Sequence, residues 1–310
     1  IAQVGEGTYG KVYKAKYRTT GKLVALKRFR LESEKEGFPI TAMREIKLLR
    51  SMKHPNILRL FETLTARTDG SIYMIFEYMD YDLAGLLAHP RGWPLGPPHI
   101  KCLMQQMLAG LAYLHQSGIL HRDIKGSNLL LNRAGQLKYA DFGLARRYDP
   151  MNMHDYTNRV ITLWYRPPEL LLGATLYGPP ADVWGLGCLF IEFFTRKALF
   201  TGVNEVSQLD CIYRILGTPT ATPPPHSRHH VGEEDDINND DKRARTPAYI
   251  SESALHLIES LLAYSPQRRL TAVEALQHPY FTEEAPAACR PEEIPLVEGD
   301  WHEFEYKANR

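Results

Sequence analysis

The hydrophobic and polar positions divide the chain into a β-rich first part and a helical second part. Before residue 79, short runs of β-branched and aromatic residues are separated by turn signals such as Thr20-Gly21-Lys22 and Asp69-Gly70. These runs predict strands over residues 9–15, 23–29, 57–64 and 71–76, and a helix over residues 40–52 with Pro39 in its first turn.

After residue 81 the apolar residues recur at helical spacing. Leu103, Met107 and Leu111 share one face of a helix predicted over residues 99–116. Strands followed by helices indicate an α+β fold with its boundary near residue 79. Further helices are predicted over residues 181–194, 206–216, 254–262 and 272–277.

Two segments differ in composition from the rest of the chain. Residues 220–249 combine Pro-Pro-Pro, a histidine cluster and six acidic residues, and their low apolar content predicts disorder or a solvated loop. Residues 282–310 are acidic and rich in proline, which predicts an extended C-terminal tail.

Composition excludes several classes of protein. The 310 residues are 44% hydrophobic and 24% charged, as in soluble globular proteins, so collagen-like and fully disordered chains are excluded. Four scattered cysteines argue against a disulfide framework or a zinc site and favour a reducing compartment. The longest apolar run, residues 186–194, is short and contains Glu192, so we expect no membrane-spanning helix. Because the chain begins at Ile1 without an initiating Met, we expect an excerpt of a longer protein.

The net charge of +1 is the sum of unlike parts. Residues 1–218 and 250–281 together hold 30 basic and 22 acidic residues, a net charge of +8. Residues 219–249 carry a net charge of −2 and residues 282–310 a net charge of −5. A basic core of this kind suits an acidic substrate, which we hold as a hypothesis.

A glycine-rich segment and a lysine form a candidate phosphate site. Gly5-Glu6-Gly7-Thr8-Tyr9-Gly10-Lys11-Val12 has the pattern G-x-G-x-x-G-x-V, whose glycines let a backbone approach phosphates. Alone it also fits an ordinary hairpin, and the strand that follows disfavours a dinucleotide-binding helix. Lys27, the last residue of Val24-Ala25-Leu26-Lys27, is better explained as a phosphate ligand than as a solvated lysine. Glu45 in the next helix is the candidate carboxylate that fixes Lys27.

The most specific pattern is His121-Arg122-Asp123-Ile124-Lys125-Gly126-Ser127-Asn128, which matches H-R-D-L-x-x-x-N with Ile in place of Leu. Asp123 can accept or orient a hydroxyl, Lys125 can neutralise a transferring phosphoryl group, and Asn128 can ligate a metal. Asp141-Phe142-Gly143 follows a short predicted strand, and Asp141 is a candidate Mg²⁺ ligand. The alternative, an ordinary charged loop between a helix and a strand, would have to match the spacing of residues 121–128 by chance.

In this order and at these distances, the motifs resemble those of the eukaryotic protein kinase family over about residues 1–281. The resemblance implies a bilobal kinase fold, with an N-lobe over residues 1–78 and a C-lobe over residues 79–281, and ATP and Mg²⁺ as cofactors. It also implies that Glu169, where the family has the last residue of A-P-E, pairs with Arg269. Asp182 would brace the catalytic loop, residues 121–128.

The same resemblance implies a nucleotide site between the lobes. Phe76 would be the gatekeeper, the backbones of Glu77 and Met79 would bind adenine, and Asp82 would reach the ribose. The other ATP contacts would come from Val4, Gly5, Glu6, Gly7, Thr8, Tyr9, Gly10, Val12, Ala25, Lys27 and Leu130.

Two segments resemble cyclin-dependent kinases in particular. Residues 39–45 are similar to the helix that a cyclin pushes inward, which implies a cyclin partner that completes the Lys27–Glu45 pair. Residues 155–166 are similar to the activation segment of that group, with Thr157 as the activation phosphosite.

The activation segment carries further implied roles. The phosphate on Thr157 would be held by Arg44, Arg122 and Arg146. Thr162 would bridge Asp123 and Lys125 in the catalytic site. Residues 160–166 resemble the segment that prefers proline after the target residue, since a substrate proline has no N–H to leave unpaired. We therefore expect Ser/Thr-Pro substrates.

The finer resemblance is to the transcriptional branch, in residues 37–41, 125–128 and 155–162. These segments are similar to the kinase subunits of fungal RNA polymerase II C-terminal-domain kinases. The resemblance implies a cyclin-K-type partner, the polymerase heptad repeats as substrate, and a nuclear role in elongation, without direct nucleic-acid or membrane binding.

Two alternatives to this function stay open. One is a cell-cycle cyclin-dependent kinase, and the other is a pseudokinase that acts as a cyclin-binding scaffold. Residues 220–249 depart from the family pattern and are either a lineage-specific loop or a gene-model error.

Overall fold

The computed structural model describes residues 2–7, 10–29, 40–67, 71–149, 151, 155–219 and 250–304. The expectations for Thr8, Tyr9, Pro39, the Asp69-Gly70 turn and residues 220–249 lie outside these described residues. In the described part, an antiparallel sheet precedes a helical region, so the predicted α+β organisation is confirmed.

The small lobe is an antiparallel sheet with one long helix. Its elements are β1 Ala2–Gly7, β2 Gly10–Lys16, β3 Leu23–Phe29, α1 Ile40–Ser51, β4 Leu60–Thr65 and β5 Ile72–Glu77. The strand order is β1-β2-β3-β5-β4, which puts β3 and its Lys27 in the centre of the sheet. Gly10 has a φ of 155°, and a Cβ there would lie 1.8 Å from the carbonyl oxygen of Arg28, so this turn requires glycine.

The large lobe combines helices with short strands that carry the catalytic loops. The short strands are β6 Tyr81–Asp82, β7 Ile119–Leu120, β8 Leu129–Leu131, β9 Leu137–Tyr139 and β10 Arg146–Arg147. The helices are α2 Leu83–Leu87, α3 Pro97–Gln116, α4 Pro168–Leu171, α5 Pro179–Thr195, α6 Glu205–Leu216, α7 Glu252–Leu261, α8 Ala272–Leu276 and α9 Pro279–Thr282.

Helices α3 and α5 form the centre of the large lobe. Each begins with proline, whose fixed φ suits the first helical turn, where its missing N–H costs nothing. Apolar residues surround α5, and its Trp184, Leu186 and Phe190 are completely buried. No helix within the described ranges is both long and apolar enough to cross a membrane.

Within the small lobe, β1 and β4 differ from the sequence predictions. β1 was not predicted, because a segment as rich in glycine as Ala2–Gly7 has little intrinsic strand preference and forms by pairing with β2. The predicted strand over residues 57–64 starts too early, since β4 begins at Leu60. Ile57 and Leu58 instead pair with Tyr139 of β9, which takes the backbone groups that a longer β4 would use.

The C-terminal tail, described over residues 282–304, packs along both lobes. Lys101 is completely buried on α3 and donates a hydrogen bond of 2.5 Å to the carbonyl oxygen of Glu284. Further along, Asp300 pairs with Lys14 of β2 and lies 3.4 Å from Arg133 of the large lobe. The negative charge of the tail is therefore used partly against the basic core, and Asp300 connects the tail to both lobes.

Candidate active site

A lysine and two carboxylates join the sheet, helix α1 and the large lobe. Lys27 Nζ donates to both oxygens of Glu45, at 2.8 and 3.0 Å, and to Asp141 Oδ1 at 2.8 Å. Burial acts to lower the pKa of Lys27, but the two carboxylates outweigh it and raise the pKa above its usual value. The Lys27–Glu45 pair predicted from the sequence is thus formed in the single chain.

The two carboxylates of this group differ in their protonation preference. Lys27 lowers the pKa of Asp141, so this carboxyl is ionised at neutral pH. Burial raises the pKa of Glu45, against the opposing attraction of Lys27. Asp141 is therefore the carboxylate with the stronger tendency to keep its charge, as a cation ligand requires.

Asp123 is the centre of a second hydrogen-bonded group, in the loop after β7. Its Oδ1 accepts from the Thr162 hydroxyl at 2.8 Å, and its Oδ2 accepts from Asn128 Nδ2 at 2.8 Å and lies 2.8 Å from Lys125 Nζ. Lys125 also donates to the Thr162 hydroxyl at 3.1 Å. The structure therefore places Thr162 between Asp123 and Lys125, the position that the resemblance implies.

Asp182 of α5 holds the catalytic loop through its backbone. Its carboxylate accepts from the amides of His121 at 2.9 Å and Arg122 at 2.8 Å, and it bonds to His115 Nε2 at 3.0 Å. Burial alone would raise the pKa of Asp182, but these hydrogen bonds hold it below its usual value. Arg122 has a φ of 65°, so these bonds support a strained backbone.

The turn after β9 directs Asp141 toward Lys27. Asp141 has a φ of 57°, in the left-handed region, and Phe142 behind it is 1% exposed. Phe142 packs edge-on against His121 with ring centroids 5.0 Å apart. The buried Phe142 and the left-handed Asp141 together place the carboxylate in the cleft between the lobes.

Asn128 and Asp141 offer the oxygen donors that a magnesium ion prefers. The amide nitrogen of Asn128 donates to the carbonyl and the carboxylate of Asp123, which leaves its Oδ1 as the atom for a cation. Asp141 bonds Lys27 through Oδ1 and keeps Oδ2 for a ligand. One carboxylate and one amide oxygen, completed by phosphates and water, form a suitable donor set for Mg²⁺.

The apolar residues expected around adenine lie at the junction of the lobes. Val4, Phe76 and Met79 are buried, with at most 8% of their surface exposed, while Ala25 and Leu130 are half-buried. In the β1–β2 pairing Gly5 lies opposite Val12, Glu6 opposite Lys11 and Gly7 opposite Gly10. The nucleotide-contact roles of these residues stay predictions.

Asp82 is engaged by the tail. Its carboxylate accepts from the amide of Gly85 at 2.7 Å, which caps α2, and from the amide of Glu303 at 2.8 Å. Burial raises the pKa of this carboxyl, and the nearby His302 opposes the shift. A ribose contact by Asp82 stays a prediction, and it would have to be made beside the tail.

Of the three arginines expected around a phosphorylated Thr157, Arg122 is linked to that residue through Tyr177. Arg122 donates to the Tyr177 hydroxyl at 2.9 Å, and that hydroxyl donates to the Thr157 carbonyl at 2.9 Å. Arg44 is exposed on α1, and Arg146 donates to the carbonyl of Ala145 at 2.9 Å. The sequence indicated no role for Tyr177, since a single tyrosine carries no motif.

Backbone geometry shapes the segment after Val160. Ile161 has a φ of 64°, in the left-handed region, which turns its carbonyl toward Arg166. Arg166 donates to the carbonyls of Val160 at 3.0 Å and Ile161 at 3.1 Å, and it pairs with Glu205 at 2.8 Å. These two carbonyls are therefore occupied within the protein itself.

Glu192 on α5 is a buried carboxyl below the activation segment. It is 7% exposed, and within the described residues its Oε1 has no hydrogen-bond partner. Burial raises the pKa of Glu192 to about 7, and a hydrogen bond with Tyr165 only partly opposes this shift. Ionisation of Glu192 therefore destabilises the folded state, most strongly above pH 7.

We expect the Glu192→Gln variant to be the more stable protein at alkaline pH. Because the folded pKa is raised, the stability from neutral Glu192 is complete below the unfolded pKa and is lost as pH rises toward 7. Between pH 6 and 8 the wild type should lose about 1 kcal/mol that the variant keeps. Urea unfolding at both pH values measures this difference, with Glu259→Gln on the exposed face of α7 as the control. Parallel pH profiles for the wild type and Glu192→Gln would contradict the assignment.

Taken together, these groups have the arrangement of a protein kinase active site. The lysine–carboxylate pair lies on the sheet and α1, and the catalytic loop and Asp141 face it from the large lobe. The family model for the protein kinase domain matches residues 1–281. The chain therefore belongs to the protein kinase family.

Within that family the chain is similar to kinases of the RNA polymerase II C-terminal domain. It is 48% identical over its whole length to CTD kinase subunit alpha of Schizosaccharomyces pombe and covers 52% of that protein. It is 47% identical over its whole length to CTD kinase subunit alpha of Saccharomyces cerevisiae, of which it covers 59%. The chain thus spans little more than half the length of these relatives.

A solved structure agrees with this similarity. The crystal structure of the yeast RNA Pol II CTD kinase CTDK-1 complex contains a chain that matches with a TM-score of 0.79 and 45% identity. The match covers 94% of this chain and 94% of that one. The predicted resemblance to the fungal C-terminal-domain kinases is therefore confirmed.

Proposed function

We propose that the protein transfers the γ-phosphoryl group of ATP to Ser/Thr-Pro sites, as a cyclin-dependent Ser/Thr kinase of the RNA polymerase II C-terminal domain. The observation that carries this proposal is the group of Asp123, Lys125 and Thr162, facing the Lys27–Asp141 pair. One side can bind a hydroxyl and the other can bind phosphates, as phosphoryl transfer requires.

The residues of the chain divide the reaction between them. Asp123 receives and orients the substrate hydroxyl, because its carboxylate is held by Thr162 and Asn128 and keeps acceptor capacity. Lys125, 2.8 Å from Asp123, carries positive charge where the transferring group gains negative charge. Lys27, fixed by Glu45, holds the nucleotide phosphates. Magnesium held by Asp141 and Asn128 would neutralise phosphate charge.

A preference for proline after the target residue follows from the segment around Arg166. The carbonyls of Val160 and Ile161 are occupied by this arginine, so the N–H of an ordinary residue at that substrate position would lose its solvent without gaining an acceptor. Proline has no N–H and avoids this cost.

We expect Arg166→Ala to weaken the discrimination between Ser-Pro and Ser-Ala peptides by about tenfold, the value of one unsatisfied hydrogen bond. The kcat/KM ratio for a matched pair of peptides measures this effect. Arg214→Ala on α6 is the control, because Arg214 has 77% of its side chain exposed and its ion pair among the described residues is with its neighbour Asp210. An unchanged ratio in Arg166→Ala would remove this explanation of the proline preference.

The substrate, partner and compartment follow from the similarity to the fungal kinases. We propose the heptad repeats of the polymerase as substrate, a cyclin-K-type partner on the helix over residues 39–45, and a nuclear role in elongation. The basic core of the chain suits an acidic, already phosphorylated repeat. A Michaelis constant for such a repeat that does not change with salt would count against this electrostatic contribution.

A single set of assays tests the proposal against its alternatives. The kinase, co-purified with its cyclin, is given Mg-ATP and either a heptad-repeat peptide or a histone-type Ser-Pro peptide. Faster transfer to the heptad peptide supports the proposal, and faster transfer to the histone-type peptide favours a cell-cycle kinase. Nucleotide binding, seen as a thermal shift, without transfer to either peptide would indicate a pseudokinase.

A further inference from the structure

A chain of two hydrogen bonds connects the catalytic loop to the backbone of the expected phosphosite. Arg122 Nη1 donates to the Tyr177 hydroxyl at 2.9 Å, and the same hydroxyl donates to the Thr157 carbonyl at 2.9 Å. The directions are fixed by chemistry, because a guanidinium can only donate and a carbonyl can only accept. The Tyr177 hydroxyl therefore connects the side chain of Arg122 to the backbone of Thr157.

The surroundings of Tyr177 hold its hydroxyl in place. Tyr177 is 4% exposed, and its ring packs on Tyr156 with centroids 5.3 Å apart. The guanidinium of Arg122 also lies over the Tyr156 ring, 5.7 Å from its centroid. A buried hydroxyl with two well-aligned partners in a low-dielectric site strengthens both of its hydrogen bonds.

The loop that carries Tyr177 also binds the activation segment at neighbouring residues. Thr175 accepts from the amide of Tyr156 at 2.9 Å and donates through its hydroxyl to Asp155 at 2.8 Å. These bonds anchor the segment to the loop, but they do not reach the catalytic loop. Removal of the Tyr177 hydroxyl would thus break the link between the Arg122 guanidinium and the Thr157 carbonyl. It would leave the anchor at Thr175 and the bond of 3.1 Å from the Ile161 amide to the Arg122 carbonyl.

We propose that Tyr177 is a positioning residue that holds the unphosphorylated activation segment beside Arg122 before any phosphate is present. This inference rests on the proposed kinase function and adds a determinant of its basal state. Arg122 has five N–H donors, and its bonds to Tyr177 and to the carbonyl of Leu144 use two of them. A phosphate on Thr157 could bind the remaining donors directly and would make the connection through Tyr177 less important.

The test compares Tyr177→Phe with Tyr156→Phe in two states of the kinase co-purified with its cyclin. One state carries Thr157→Ala, which keeps the carbonyl but cannot be phosphorylated, and the other is phosphorylated at Thr157. Tyr156→Phe is the matched control, because it removes the hydroxyl of the neighbouring ring, whose hydrogen bond within the described ranges goes to the carbonyl of Arg147 at 3.1 Å. The readouts are kcat and KM for a Ser-Pro heptad peptide, amide hydrogen exchange of residues 155–160, and the melting temperature.

We expect Tyr177→Phe to lower kcat about tenfold in the Thr157→Ala state and less than threefold in the phosphorylated state, with faster hydrogen exchange at residues 155–160 and an unchanged KM for ATP. The kcat of Tyr156→Phe should stay within twofold of the value for the kinase with Tyr156 intact in both states. Equal losses in the two states, no loss in either, or a variant that unfolds would overturn the assignment. Inactivity of the wild type on the heptad peptide would instead show that the proposed function has failed.

Discussion

Replacing Asp123 with Asn is expected to lower kcat by a factor of about a thousand or more while leaving the fold and ATP binding intact. The carboxylate of Asp123 already accepts from Thr162 and Asn128, and it is the acceptor left for the substrate hydroxyl. An amide in this place presents an NH₂ group that cannot accept a proton, so both orientation and proton acceptance are lost. Peptide phosphorylation under saturating ATP measures the change.

Two further measurements make this result specific. Titration with a fluorescent ATP analogue should give the same dissociation constant for Asp123→Asn and the wild type, because Lys27, which we propose binds the phosphates, lies on the other side of the cleft. Asp80→Asn is a suitable control, since Asp80 is an acidic residue that pairs with Arg133 outside the catalytic loop. Full activity of Asp123→Asn would exclude Asp123 from the reaction.

The second large effect is expected on stability. Arg269 has none of its side chain exposed, and it donates to both oxygens of Glu169, at 2.9 and 3.1 Å. Truncation by Glu169→Ala leaves this guanidinium buried without a countercharge, which costs about 3–5 kcal/mol in comparable pairs. Urea unfolding of the purified kinase at neutral pH measures the loss.

The chain offers a matched comparison for this ion pair. Arg290 also donates twice to Glu293, through Nη2 at 2.9 Å and Nε at 3.2 Å, but both bonds reach the same Oε1 and the pair lies at the exposed surface. Exposed pairs contribute little because water and salt screen them, so Glu293→Ala should unfold like the wild type. Glu169→Gln keeps hydrogen-bonding capacity without the charge, so its free energy of unfolding should lie between those of Glu169→Ala and Glu293→Ala. A wild-type unfolding curve for Glu169→Ala would mean that the pair adds nothing.

The part of the active site that the sequence predicted is the part encoded locally. Asp123, Lys125 and Asn128 belong to one loop, so their spacing in the chain already implies that they lie close together. Strand β3 was predicted with its correct bounds, since its β-branched and apolar residues end abruptly at turn signals. Glu45 was predicted as the partner of Lys27 because such a lysine needs a carboxylate to fix it, although the two residues lie 18 positions apart.

The features that the sequence did not predict depend on contacts between distant segments. Tyr177 acquires its place from Arg122 and Thr157, and neither neighbour leaves a pattern around the tyrosine. A ribose contact was predicted for Asp82 from its position just after residues 76–79. The residue whose amide binds its carboxylate, Glu303, lies 221 positions away. Hydrophobic periodicity reports which face of an element is buried, but it does not identify which segment covers that face.

The bonds between Asp182 and the catalytic loop have a consequence for how the proposed kinase activity would be lost on heating. Arg122 is kept at a φ of 65° by a carboxylate on α5, the central helix of the large lobe. A local opening that moves α5 away from the loop would therefore release the backbone of the residue next to Asp123, even if the rest of the molecule stayed folded. Catalytic competence and the integrity of the helical core then belong to one cooperative unit, and heat inactivation should coincide with the melting of α5 rather than precede it.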